Sequence, residues 1–126
     1  ISSLSAILLN DDYYQFMMEG RRVIDDICVL DAAYLIPFKM FAWIDLSNKK
    51  EKGEHVNDRD LKKHKYDVFR LLEIIPEGEK IATFGSVMDN VQLFLSRIQD
   101  EDLPLAQIGL SIRKEQALDR IQSIYT

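Results

Sequence analysis

The amino-acid sequence predicts an α+β domain that is predominantly helical, with one or two short N-terminal strands followed by about five helices that form a bundle. Two observations predict this fold class. Short runs rich in apolar or β-branched residues lie before residue 31, and such runs are typical of strands. After residue 31, apolar residues recur mainly at three- and four-residue steps, which is the spacing of helices.

Composition narrows the class of protein. The chain has 126 residues, of which 47% are apolar and 29% charged, as in a globular domain, and we predict a single domain over residues 1–126. The net charge of −5 excludes a globally basic nucleic-acid binder, although a local basic patch stays open. Cys28 is the one cysteine, so no internal disulfide forms, and a cytoplasmic protein without membrane contact is expected.

The first 30 residues are predicted to be a strand-containing segment. Residues 4–9 form an apolar run that predicts a strand, and Asp11 or Asp12 is expected to cap a short helix that ends at Gly20. Residues 23–30 predict a second strand, with a turn at Asp25-Asp26 as an equal alternative. Because two strands do not make a stable sheet alone, and the chain begins with Ile1 rather than Met, we expect further sequence upstream.

Residues 31–76 are predicted to form a helix pair. Asp31 is expected to cap the first helix, Pro37 to kink or restart it, and residues 48–54 to form an exposed loop. Asn57 or Asp58 is expected to cap the second helix, which Pro76 and Gly78 end. Its predicted apolar face consists of Leu61, Val68, Leu71, Leu72 and Ile75.

Residues 86–126 are predicted to be C-terminal helices. Ser86 is expected to cap the first, which ends at the acidic residues 100–102. Ser111 is expected to cap the last, whose apolar residues share one face. That face consists of Ile112, Leu118, Ile121, Ile124 and Tyr125.

The candidate site lies on the helix pair. Lys39 occupies the middle of the most apolar helix, where it must reach solvent from the helix edge, pair with an acid or face a cavity. On the next helix, Asp60, His64 and Asp67 share one flank. Three interpretations stay open: a metal site by spacing, a structural Lys39–Asp67 pair, or a pocket in which Lys39 holds an anion such as phosphate.

Two segments of this helix pair resemble a known family. Residues 29–42, VLDAAYLIPFKMFA, contain a Leu-x-x-x-Lys-x-x-Ala pattern, and residues 63–71 read KHKYDVFRL. Both are similar to blocks of the AbiEii-type nucleotidyltransferase-like proteins, which include toxins of abortive-infection and toxin–antitoxin systems. The resemblance covers about 45 residues. It implies that Lys39 contacts nucleotide phosphates with His64 and Lys65 beside it, and that Lys39 and Asp67 are the catalytic residues.

The resemblance also indicates what the chain lacks. Family members carry a Gly-Ser turn followed by an Asp-x-Asp pair on a strand, which holds Mg²⁺ against the triphosphate. Gly85-Ser86 and the acidic residues 100–102 match superficially, but the residues between them have a helical period. We therefore expect Mg²⁺ and a nucleoside triphosphate as cofactors of an intact protein, and neither to be bound by this C-terminal portion alone, in which we predict no metal ligands.

Two functions follow from the sequence. The first is the C-terminal portion of a nucleotidyltransferase that acts on an RNA, protein or small-molecule acceptor, with an antitoxin and a second copy as potential partners. The basic residues Arg59, Lys62, Lys63 and Lys65 would meet an RNA acceptor or form a solvated helix face. The alternative is a non-catalytic helical interaction module with a structural Lys39–Asp67 pair and an interface on an exposed last helix, residues 112–125.

Overall fold

The computed structural model describes residues 6–126 and has the predicted fold class. A two-stranded antiparallel hairpin lies near the N-terminus, and five helices of ten or more residues pack together around one apolar core. The elements are α1 (Asp11–Gly20), β1 (Arg21–Ile24), β2 (Ile27–Leu30), α2 (Ala32–Glu51), α3 (Asp58–Leu72), α4 (Gly85–Gln99), a short 3-10 helix (Leu105–Ile108) and α5 (Lys114–Ile124).

The strand predicted at residues 4–9 is wrong where the structure describes it. Residues 6–9 form helix and turn, while residues 4 and 5 lie outside the described residues. Ile7 is buried and Leu9 is exposed, whereas residues two apart in a strand would lie on the same face. Periodicity cannot separate strand from helix in so few residues. The cap of α1 is Asn10, rather than Asp11 or Asp12, and its Oδ1 accepts from the backbone N–H of Asp12 at 3.0 Å.

Residues 21–30 form a hairpin, which confirms the turn alternative at Asp25-Asp26. Ile24 lies opposite Ile27 and Arg21 opposite Leu30, so Asp25 and Asp26 alone form the connection. Both aspartates have positive φ, at 50° and 64°. Two left-handed residues are what a type I′ hairpin turn requires, and aspartate tolerates that conformation better than most residues.

Helix α2 is continuous through Pro37 and extends to Glu51, so the restart alternative at Pro37 is wrong, and the exposed loop begins at Lys52 rather than at Asn48. Proline has no N–H to donate to the carbonyl four residues earlier, which is that of Ala33. The buried Tyr125 hydroxyl donates to this carbonyl instead. A residue from the far end of the chain thus completes the backbone hydrogen bonding of α2, which sequence periodicity cannot reveal.

The first turn of helix α4 is hydrogen-bonded by side chains from α1 and from the N-cap of α1. The predicted cap, Ser86, lies inside the helix. The N-cap position is occupied by Phe84, whose side chain makes no capping hydrogen bond. Asp12 Oδ2 accepts from the backbone N–H of Ser86 at 2.8 Å, and Asn10 Nδ2 donates to Ser86 Oγ at 3.2 Å. A carboxylate at a helix N-terminus accepts from backbone N–H groups that have no partner within the helix, and its negative charge interacts favourably with the helix dipole.

The apolar face of the last helix is buried. It begins at Lys114, so Ser111 is not its cap. Its apolar face packs into the core, with Ala117 and Ile121 fully buried. The C-terminus is fixed by backbone hydrogen bonds, from Ile81 N–H to the Ile124 carbonyl at 2.8 Å and from Thr126 N–H to the Ile81 carbonyl at 3.1 Å. This helix therefore does not offer the exposed apolar face that the interaction-module hypothesis expected of it.

Helices α2 and α3 form an antiparallel pair, and α4 packs across α2. Lys39 in the first half of α2 contacts Asp67 in the second half of α3, whereas Lys50 near the end of α2 contacts Asp58 at the start of α3. The Trp43 and Phe94 rings pack edge to face at 5.3 Å between α2 and α4. Among the residues the structure describes, no helix is long and apolar enough to span a bilayer.

Candidate functional site

Lys39 and Asp67, 28 positions apart in the sequence, meet at the interface of α2 and α3. The Lys39 Nζ lies 3.2 Å from the Asp67 Oδ2, and the side chains are 29% and 18% exposed. Phe38 and Met40 on either side of Lys39 are buried, so the lysine occupies an edge of an otherwise apolar helix. Its ammonium reaches a carboxylate while the side chain retains partial access to solvent.

Arg70 is the member of this cluster that sequence reasoning missed. Its Nη1 lies 3.3 Å from Asp67 Oδ1, so the carboxylate carries one cation on each oxygen. The two positions are three apart on α3, a spacing at which side chains of a helix meet, and this spacing was the signal available in the sequence. Two cations on one carboxylate leave a net positive charge of one at the cluster.

His64 lies in the same cluster, one turn before Asp67. Burial lowers the pKa of His64 first, because it penalises the imidazolium form, and the nearby Lys39 ammonium lowers it further. The carboxylates of Asp67 and Asp60 oppose this shift only in part. The His64 Nδ1 is buried without a hydrogen-bond partner. A neutral imidazole with an unused ring nitrogen thus stands beside the Lys39–Asp67 pair.

We expect this histidine to make stability pH-dependent. Because its folded-state pKa lies below the unfolded value of about 6.5, the unfolded chain binds the proton first. The free energy of unfolding should therefore be fully retained above about pH 6.5 and fall as the pH drops toward the lowered pKa. Denaturant unfolding across this range would measure the slope, and His64→Gln should flatten it. His55→Gln, which removes the exposed histidine outside the cluster, is the matched control, and an unchanged slope in His64→Gln would contradict the assignment.

Lys65 does not join the cluster. Its Nζ lies 3.0 Å from Glu101 Oε1 and 5.3 Å from the centroid of the Tyr66 ring. It lines a separate cleft of about 300 Å³ with Trp43 and Leu61. The structure therefore brings together Lys39, His64 and Asp67 of the four predicted site residues. One residue along a helix turns a side chain by about 100°, which is why the neighbours His64 and Lys65 face different surroundings.

Chemically, the cluster suits an anion better than a metal. Within residues 6–126, no three histidine, cysteine or acidic side chains converge as metal ligands, so Asp60, His64 and Asp67 do not form the metal site that their spacing allowed. Helix α4 runs without interruption to Gln99, so the acidic residues 100–102 follow a helix rather than lie on a strand. Four surface clefts of about 300–510 Å³ lie elsewhere, and Lys39, His64 and Asp67 line none of these four.

Comparisons with protein-family models, with curated proteins and with solved structures find no match for this chain.

Proposed function

We propose that this chain is the C-terminal portion of a cytoplasmic AbiEii-type nucleotidyltransferase, which transfers a nucleotidyl group from a nucleoside triphosphate to an RNA, protein or small-molecule acceptor. The observation that supports this proposal is the contact between Lys39 and Asp67 at 3.2 Å. The two residues come from two sequence blocks that resemble that family, and they meet at a partly exposed edge of the helix pair with His64 beside them.

In this proposal Lys39 is the phosphate-binding residue. Its ammonium supplies a point charge for phosphate oxygens, and Asp67 holds it in position from α3. Arg70 balances the carboxylate, so Lys39 is able to turn toward a phosphate without leaving Asp67 unpaired. The neutral imidazole of His64 adds no positive charge, and its buried Nδ1 has no hydrogen-bond partner.

None of the roles assigned to Lys39, His64, Asp67 and Arg70 involves binding of Mg²⁺. The described part of the chain brings together no group of three metal-ligating side chains, so it does not fit the Mg²⁺ that the family resemblance implies. The proposal therefore assigns the metal to another part of an intact protein and routes no step through it. An antitoxin is the partner that the family resemblance suggests.

The proposal predicts a selective loss on removal of Lys39. In the longer gene product, Lys39→Met should lower transfer of radiolabelled nucleotide by a factor of about 100 or more, because a charged contact to phosphate is lost. Lys49→Met is the matched control, since Lys49 pairs with Asp45 at 3.0 Å on the same helix. It should leave transfer unchanged, and thermal melts of both variants report any loss of folded protein. Equal transfer by wild type and Lys39→Met would refute the role of Lys39.

A non-catalytic helical interaction module is the second candidate. The observation that favours it is that Lys39 and Asp67 satisfy each other directly and line none of the four described clefts. If the pair is purely structural, Lys39→Met combined with Asp67→Leu should keep the stability and the partner binding of the wild type. If it is functional, the same double variant should fold and lose nucleotide transfer.

A further inference from the structure

The hairpin β1–β2 exposes apolar side chains to solvent. Val23, Ile24 and Ile27 are 67%, 50% and 64% exposed, and every residue of β1 is exposed. No third strand joins this sheet within residues 6–126. A two-stranded sheet with bare apolar side chains and free edges is marginally stable and prone to pair with another strand.

The register of the hairpin determines which backbone groups of β1 point away from β2. In a hairpin with a two-residue turn, the pair that flanks the turn exchanges backbone hydrogen bonds, and this pair is Ile24 and Ile27. Alternation along β1 then directs the backbone groups of Arg22 and Ile24 toward β2. Those of Arg21 and Val23 point to the free edge, where they are available to a further strand.

Charged residues of opposite sign lie before and after the apolar centre of β1, so two copies of this segment that run antiparallel place basic residues near acidic ones. Residues 21–26 consist of two arginines, two apolar residues and two aspartates. When two copies of β1 run antiparallel with Val23 opposite Val23, the outward backbone groups face each other. Arg21 of each copy then lies level with Asp25 of the other, the turn residue that directly follows β1, whereas Asp26 lies on the β2 side of the turn and takes no part. Opposite charges at such positions stabilise strand pairs, and like charges destabilise them.

We propose that β1 is a self-association edge, at which a second copy of this chain adds antiparallel about a twofold axis at Val23 to form a four-stranded sheet. The occupant is a second copy because the charge pattern matches itself and a twofold contact requires self-complementarity. This proposal is independent of the proposed nucleotidyl transfer, since none of its residues belongs to the Lys39 cluster.

Arg21, rather than Arg22, carries the charge complementarity. The Arg22 Nη2 already contacts Asp31 Oδ1 at 2.6 Å within its own chain. Two four-residue strands bury less surface than a standard protein interface, so the dimer is weak, with a dissociation constant in the micromolar range or above. Its affinity falls as the salt concentration rises, because the charged pairs are exposed.

Charge exchange at two positions tests the proposal by sedimentation velocity over a range of concentrations. Arg21→Glu and Asp25→Lys should each raise the dimer dissociation constant by about tenfold or more, because each homodimer then contains two like-charge contacts. An equimolar mixture of the two variants should form a heterodimer of near wild-type affinity, since both contacts again join opposite charges. Asp25→Asn, which keeps the preference for positive φ, should weaken the dimer without a change of charge sign.

Chemical cross-linking locates the axis. In a Cys28→Ser background, a short cross-linker with two thiol-reactive groups should join the cysteine of Val23→Cys to the same residue of the second copy. Leu93→Cys, which places a cysteine at an exposed apolar position on α4, is the control and should not be cross-linked. A wild-type chain that stays monomeric at high micromolar concentration overturns the proposal. So does a dimer that neither charge variant weakens, equal cross-linking at both positions, or a hairpin that binds a different protein while the chain stays monomeric.

Discussion

Replacing Gly85 with alanine should destabilise the protein by about 2–3 kcal/mol, the larger of the two strongest effects that we expect. Gly85 has a φ of +51° at the start of α4, a conformation that costs an L-residue energy. A Cβ at this position would also overlap the carboxylate of Asp12. Moving that carboxylate breaks its 2.8 Å hydrogen bond with the Ser86 N–H, so one methyl group removes a tertiary cap and adds backbone strain.

The measurement is the free energy of unfolding in denaturant, with Gly78→Ala as the control. Gly78 has a φ of +82°, but an added Cβ there would meet nothing within 4 Å. Gly78→Ala therefore reports backbone strain alone, about 1 kcal/mol, and the excess in Gly85→Ala reports the displaced Asp12 carboxylate. Asp12→Ala should lose about 1 kcal/mol through the missing cap. Equal losses in the two glycine variants would argue against a role for the Asp12 contact.

Replacing Tyr125 with phenylalanine should cost about 2 kcal/mol, because a buried backbone carbonyl loses its donor. The hydroxyl of Tyr125 donates to the carbonyl of Ala33, which lacks its usual helical donor because residue 37 is proline and has no N–H. Burial raises the pKa of Tyr125, consistent with a hydroxyl that remains protonated and donates. The phenylalanine ring still fills the site, so the loss reports the hydrogen bond rather than a cavity.

A double-mutant cycle with Pro37→Ala isolates the cause. Alanine at position 37 supplies an N–H that can donate to the Ala33 carbonyl and complete the hydrogen bonding of α2. The cost of Tyr125→Phe in that background should fall by about 1 kcal/mol, measured by denaturant unfolding of all four proteins. If Tyr125→Phe costs the same with and without Pro37, the hydroxyl does not compensate for the proline.

The sequence could predict only those parts of the candidate site in which helical spacing places residues on one flank of a helix. Asp67 and His64 share a flank of α3 because of the three- and four-residue steps, and this part of the prediction needed no tertiary information. Lys65 was assigned to the same site by its place in the motif, yet the helix directs it toward Glu101. Whether Lys39 paired with an acid or lined a cavity depended on how α2 and α3 pack, which the sequence left open.

The sequence by itself determined the predominantly helical fold class and narrowed the cap of α3 to Asn57 or Asp58, of which Asn57 is the cap, because apolar periodicity and local capping chemistry act within a few residues. Only the tertiary structure decided the features that join distant residues. Asp12 completes the start of α4, Tyr125 compensates for Pro37, and the apolar face of the last helix packs into the core. These depend on which buried polar groups find partners once the helices pack, and a linear pattern does not record those partners.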